Sequence, residues 1–253
     1  MRASALGIVA AVALLTTSTA PAPAYEVTGV DGAGALAGVV RFAGTPPALS
    51  PPPASRSRDA CADHGDADAL VVGPDHGVRD GVVLVEGVAR GKKPAAEAVL
   101  DTARCAFVGH VIAVMAGERA RLRNGDTVLH SPQGFQGTPA VFSLALPGRD
   151  QSIDISRRLG RPGVVRVVCD VHPHMGAWIV IHDSPYYAVT DEHGAYRIAG
   201  IPPGRYRVTM WHEGFRARGR DADGRVRYEA PQTVTRAVTI APGATATMDF
   251  ELR

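Results

Sequence analysis

The sequence predicts an all-β protein. Short runs rich in valine recur along the chain, and 28 glycines and 19 prolines among 253 residues separate them. This composition favours many strands and turns over long helices, and no stretch of useful length has helical periodicity. With 45% hydrophobic residues the chain can bury a substantial core, and its length leaves room for one large or two small domains.

The N-terminal third shows strand patterns interrupted by prolines. Residues 36–42 alternate apolar and small residues and predict a strand, as does the valine-rich run within residues 78–88. Residues 45–53 contain five prolines, which predicts an extended connector without ladder donors. We therefore expect residues 25–94 to form an N-terminal β extension with a Pro-rich segment.

The net charge and the N-terminal residues indicate the cellular compartment and the kinds of partner to expect. The formal net charge is +2, and no block of Lys and Arg is long enough to follow a phosphate backbone, so nucleic acid is not an expected partner. Residues 1–24 have the basic start, apolar stretch and small-residue cleavage pattern of a secretory signal peptide. No later apolar run reaches the roughly eighteen residues of a membrane helix. We expect a periplasmic or secreted protein without a membrane span, and its oligomeric state stays open.

The next part of the chain is also rich in predicted strands and leads to a cluster of soft donors. Strands are predicted at residues 105–114, 119–124, 141–146, 152–155, 164–168 and 178–181. Between the last two stands the segment CDVHPHM, which places Cys169, His172 and Met175 at intervals of three residues. Thiolate and thioether ligands select copper over hard cations. A second imidazole is needed, and His130, at the end of an N-x-D-x3-H segment, is the natural candidate.

This pattern of C-x2-H-x2-M after a β-rich run, with a lone His about forty residues upstream, resembles the cupredoxin family and the short loop of its amicyanin branch. The resemblance covers residues 95–182. It implies a Greek-key β-sandwich that holds one type 1 copper ion through His130, Cys169, His172 and an axial Met175. It also implies single-electron transfer, with a redox partner protein docking at the copper end.

Three residues depart from the family or stand near the pattern. Ser131 follows the first ligand His where the family usually has Asn, so the side-chain brace between the two ligand loops is shortened or lost. His174 could compete as a ligand, gate protons or face solvent, and we expect it to face solvent. His110 precedes an apolar run and is expected to have a structural role at a strand end.

Three cysteines in an exported protein are an odd number, which suggests one pair and one thiol with another task. If Cys169 is a copper ligand, Cys61 and Cys105 remain to form a disulfide, which an oxidising compartment permits. The alternative is three buried free thiols.

Residues 183–253 carry a different signature. V-T-D-x-x-G at residues 189–194 and P-P-G-x-Y at residues 202–206 stand in a meander of alternating strands. These motifs resemble the carboxypeptidase regulatory-like domain, a smaller transthyretin-like or Ig-like β-sandwich, and imply a structural role. The whole chain resembles exported bacterial proteins that join a plastocyanin-like domain to such a domain.

Enzymatic chemistry finds little support in the sequence. There is no G-x-S-x-G elbow and no H-E-x-x-H zinc motif, so we expect a protein that is not an enzyme. The leading hypothesis is an exported blue copper protein that carries electrons. One alternative is a copper-sequestering or copper-delivery protein. Another is a surface scaffold that binds glycan or protein and has a vestigial copper loop.

Overall fold

The computed structural model describes residues 25–53, 61 and 68–253. The signal peptide predicted for residues 1–24 lies outside these described residues. The described chain is almost entirely β-strand and turn, with two short 3-10 helices at Pro74–His76 and Ser156–Arg158, which confirms the all-β prediction. No helix in the described ranges is long and apolar enough to cross a membrane.

The strands in chain order are β1 (Glu26–Val27), β2 (Gly34–Phe42), β3 (Val82–Glu86), β4 (Arg90–Gly91), β5 (Ala98–Ala103), β6 (Ala106–Val108), β7 (Val111–Met115), β8 (Ala120–Arg123), β9 (Pro132–Phe135), β10 (Ala140–Ser143), β11 (Ser152–Asp154), β12 (Gly163–Cys169), β13 (Gly176–His182), β14 (Tyr187–Val189), β15 (Ala195–Ile201), β16 (Gly204–His212), β17 (Ala217–Arg220), β18 (Val226–Tyr228), β19 (Gln232–Ile240), β20 (Thr245–Thr247) and β21 (Phe250–Leu252).

The first β-sandwich contains β5 to β13. One sheet has the strand order β10-β9-β12-β13-β7, and the facing sheet has the order β11-β8-β5-β6. Alternate residues of the central strands, such as Val165 and Val167 of β12 and Ile179 and Ile181 of β13, are buried in one apolar cluster. Successive side chains of a strand point to opposite faces, so this alternation sets which face of β12 and β13 forms the core.

The second β-sandwich is built from both ends of the chain. One sheet has the order β14-β3-β16-β19, and in the other β2 lies between β15 and β20, with β21 also paired to β2. Its core includes Leu36 and Val40 of β2, Val83 of β3, and Val208 and Met210 of β16.

The N-terminal segment therefore contributes central strands to the second sandwich. β3 lies between β14 and β16, and β2 pairs with β15 along most of its length, although the whole first sandwich separates these partners in sequence. Sequence alternation predicts strands in this segment but not their neighbours, because it shows which residues are buried and not which strand lies alongside.

The two sandwiches pack directly against each other through the outer face of β13. Trp178 and Val180 of β13 meet Val82 of β3 and Trp211 of β16, and the two indole rings lie 5.7 Å apart in an edge-to-face arrangement. His182 Nε2 lies 3.0 Å from the carbonyl oxygen of Val85. Since β13 begins directly after the CDVHPHM segment, this contact places that segment beside the second sandwich.

Candidate metal centre

The CDVHPHM segment forms a tight turn between two strands of the first sandwich. Cys169 is the last residue of β12, and Gly176 is the first of β13. The Cys169 N–H donates to the Met175 carbonyl at 3.3 Å, and the Met175 N–H donates to the His172 carbonyl at 2.9 Å. The turn brings the Cys169 sulfur and His172 Nδ1 to 3.6 Å from each other.

His130 reaches the same place from the segment between β8 and β9. Its backbone N–H donates to Leu146 O at 3.0 Å and its carbonyl accepts from Leu146 N at 2.8 Å. Its Nε2 lies 3.0 Å from Asp126 Oδ2, and its Nδ1 lies 3.9 Å from the Cys169 sulfur. A neutral imidazole that donates from Nε2 to a carboxylate keeps its Nδ1 lone pair for a metal.

The three donor atoms are spaced to fit one metal ion. Those of His130, Cys169 and His172 all lie within 4.8 Å of one another. Metal–sulfur distances of about 2.3 Å and metal–nitrogen distances of about 2.0 Å in a trigonal arrangement require sulfur–nitrogen separations of about 3.8 Å. The observed separations of 3.6 and 3.9 Å agree with this requirement.

Met175 stands in the same turn and is 3% exposed, within the apolar cluster that includes Cys169. A buried thioether here suits either packing or weak axial ligation. Its assignment as the fourth ligand stays a prediction.

Ser131 connects the two donor segments through its backbone. Its N–H lies 3.4 Å from the Cys169 sulfur, and its carbonyl accepts from the Asp170 N–H at 2.9 Å. The side-chain hydroxyl instead donates to Leu144 O at 3.2 Å. The Ser131 side chain therefore does not connect the segments that carry His130 and Cys169. Its main-chain N–H and carbonyl connect them instead.

Asp126 is a site residue that the sequence reasoning did not assign, although it is the acidic residue of the N-x-D-x3-H segment. Besides facing His130, it accepts from the backbone N–H groups of Arg104 and Cys105 at 2.7 and 3.0 Å. Burial by itself raises the pKa of Asp126, but these hydrogen bonds and that of His130 outweigh it and hold the pKa below its usual value. The carboxylate is therefore charged and orients His130.

A disulfide closes the other side of the site. Cys61 and Cys105 are bonded, with their Cα atoms 5.5 Å apart. The Cys61 sulfur lies 3.5 Å from His172 Nε2, and His172 is 2% exposed. His174 Nε2 lies 2.9 Å from Cys105 O, so His174 is half-buried against this disulfide and does not simply face solvent.

Burial also affects the protonation of Cys169 and His172. Burial raises the pKa of the Cys169 thiol, and the Ser131 N–H opposes this only in part. Burial lowers the pKa of His172, and a charge on His130 acts in the same direction. Near neutral pH the thiol is protonated and His172 is neutral, so a metal that binds here must displace the thiol proton.

Comparison with known proteins identifies one domain. Residues 163–253 match the family model of the carboxypeptidase regulatory-like domain, so this chain contains such a domain. The match takes in the second sandwich from β14 onward, together with β12 and β13 of the first. No curated protein matches the chain.

Solved structures similar to this chain include a copper-containing nitrite reductase, an amicyanin and an auracyanin. A Cu-containing nitrite reductase from Thermus scotoductus SA-01 is 20% identical over 39% of this chain, with a TM-score of 0.30, and the match spans 24% of that protein. Amicyanin from Paracoccus versutus is 17% identical over 40% of this chain and 97% of its own, with a TM-score of 0.30. Auracyanin from Roseiflexus castenholzii is 13% identical over 35% of this chain and 98% of its own, with a TM-score of 0.29. At these TM-scores the similarities carry no argument about the site. Its assignment depends on the positions of the donor atoms of this chain.

Proposed function

We propose that this protein is an exported type 1 copper protein that carries single electrons to or from a redox partner. The observation that carries the proposal is the buried triangle formed by His130 Nδ1, Cys169 Sγ and His172 Nδ1, whose spacing suits one ion. Met175 is proposed as the weak axial ligand. A bound copper ion would supply one-electron redox chemistry between Cu(II) and Cu(I) at this position.

The residues around the donors prepare the site for such an ion. Asp126 sets the orientation of His130, and the Ser131 N–H donates toward the Cys169 sulfur, where it would stabilise a thiolate. His130 and Cys169 are 0% exposed, so water is kept from the sulfur. A site held in one arrangement suits both oxidation states, because little needs to move when the electron is transferred.

Export and partner docking belong to the same proposal. The Cys61–Cys105 disulfide supports an oxidising compartment such as the periplasm or the extracellular space. We place the redox partner at the end of the first sandwich that carries the CDVHPHM turn, since electron transfer requires close approach to the metal. The carboxypeptidase regulatory-like domain has no catalytic task in this proposal.

The visible spectrum of the copper-loaded full chain tests the proposal. The Cu(II) protein should show an intense absorption band from the copper–thiolate bond, and Cys169→Ser should abolish it because the thiolate is the strong equatorial donor. Circular dichroism of the metal-free variant serves as the folding control. A variant that stays blue, or a wild-type protein that binds zinc but no copper, would refute the assignment.

Copper sequestration or delivery is a second candidate, and the position of the disulfide favours it. The Cys61 sulfur covers the Nε2 edge of His172, so this ligand is shielded from solvent on the side away from Cys169. Such cover would slow exchange of a bound ion. Reversible Cu(I) binding without a blue Cu(II) form, with copper passing to a competing chelator, would support this function over electron transfer.

A further inference from the structure

The carbonyl groups of the CDVHPHM turn are held by a residue of the other sandwich. The regular pairing of β12 with β13 ends at Val168 and Gly176, and Cys169 O and Pro173 O lie beyond it. Arg225 donates from Nη2 to Cys169 O at 2.8 Å and from Nη1 to Pro173 O at 2.9 Å. One guanidinium thus connects the two arms of the turn, on either side of His172.

Arg225 is itself held in place. It is 8% exposed and lies directly before β18, in the turn of the β17–β18 hairpin. Its backbone N–H donates to Asp221 Oδ1 at 2.9 Å, and its carbonyl accepts from the Asp221 N–H at 3.0 Å. The planar fork of an arginine that is already anchored loses little freedom when it binds two acceptors, so it suits a fixed brace.

A second connection reaches the exit of the same turn. Glu213 directly follows β16, is 4% exposed, and forms a short ion pair with His110. The other ring nitrogen of His110, Nδ1, lies 3.1 Å from Gly176 O. An imidazolium donates from both nitrogens, so a charged His110 can bond Glu213 and Gly176 at the same time.

We propose that the second sandwich is a positioning clamp for the metal-binding turn, in which Arg225 holds Cys169 O and Pro173 O, and Glu213 acts on Gly176 O through His110. Both are positioning residues and neither is a proposed ligand. The name metal-binding turn rests on the proposed function, whereas the clamp itself is a property of the metal-free fold.

The clamp also places a positive charge near the sulfur donor. Arg225 bonds the carbonyl of Cys169 itself, so its charge lies within one residue of the thiolate that a metal would require. A nearby positive charge disfavours the more positive oxidation state of a bound ion. Removing it should therefore lower the reduction potential of the copper-loaded protein as well as loosen the turn.

Amide hydrogen exchange of the metal-free full chain tests the clamp. Arg225→Gln should speed exchange of the Met175 and Asp170 amides at least tenfold relative to wild type, while amides at the centre of β16 exchange as before. Arg225→Lys, which keeps the charge but not the fork, should give an intermediate rate. Arg227→Gln is the matched control, because it removes an exposed charge from the same hairpin.

Copper-loaded protein provides the second readout. Arg225→Gln should lower the reduction potential and speed copper loss, Arg225→Lys should restore most of the potential, and Arg227→Gln should change neither. Should Arg225→Gln fail to fold, Arg225→Lys and Glu213→Gln are used for the exchange test.

The clamp is refuted if folded Arg225 or Glu213 variants exchange the amide hydrogens of the turn at the same rate as Arg227→Gln. If wild type binds no copper, only the proposed function fails, since the exchange result stands without metal.

Discussion

The buried pair of His110 and Glu213 predicts a specific pH dependence of stability. Burial by itself lowers the pKa of His110, but the charge and hydrogen bond of Glu213 outweigh it and raise the pKa to about 9. The carboxylates of Asp68 and Asp80 act in the same direction. Replacing Glu213 with Gln keeps the shape of the side chain and removes the charge that holds the proton.

The size of the effect follows from the pKa difference between the folded and unfolded states. The pKa of His110 rises from 6.5 to about 9 on folding. Each unit corresponds to about 1.36 kcal/mol, so the protonated pair contributes about 3 kcal/mol to the free energy of unfolding. Because the folded pKa is raised, this contribution is complete below pH 6.5, declines as pH rises, and is lost above about pH 9.

Urea denaturation of the metal-free protein across this pH range measures the effect. The difference in unfolding free energy between wild type and Glu213→Gln should be largest at the acid end and shrink toward the alkaline end. Glu192→Gln is the matched control, because it removes a carboxylate from an exposed His–Glu pair at His193. A difference that stays constant across the range would show that the pair does not hold a proton on His110.

Three further predictions concern the proposed metal site and the disulfide. Met175→Leu should keep the blue colour and raise the reduction potential, because a thioether stabilises Cu(II) better than a hydrocarbon does. Met210→Leu, in the core of the second sandwich, is the control. An unchanged potential in Met175→Leu would remove Met175 from the ligand set. Asp126→Asn should weaken copper binding about 10-fold to 100-fold, since it loosens the orientation of His130. A competition titration that gives wild type and Asp126→Asn the same copper affinity would contradict this. Asp154→Asn is the control. Thiol titration of the denatured, unreduced and metal-free protein should find one reactive cysteine, and three would exclude the Cys61–Cys105 bond.

Local sequence patterns predicted many of the strands and the arrangement of the donor-bearing turn, but not β5 or β9. Short apolar runs predicted β12 and β13, and the tight spacing of Cys169 and His172 limited how far apart their donor atoms can lie. These predictions depend on residues only a few positions apart, for which backbone geometry leaves little choice. The turn motifs after residue 183 likewise indicated the carboxypeptidase regulatory-like domain that the family match identifies.

Strand partners and the surroundings of the site depended on the tertiary structure. Nothing local to β2 or β3 indicates that each pairs with strands that follow the first sandwich, because strand pairing depends on contacts across the whole chain. Truncation before β14 would therefore remove partners from both strands.

The groups that surround the donor atoms also depend on contacts between distant parts of the chain. Asp126 lies four residues from His130 and belongs to the same N-x-D-x3-H segment, so a search for a carboxylate near this proposed ligand could have found it. Arg225 lies 56 residues from Cys169, in a hairpin that reads only as polar and glycine-containing. A charged side chain in such a hairpin shows no local sign of burial, because its two acceptors are backbone carbonyls, which every residue carries and no sequence pattern marks.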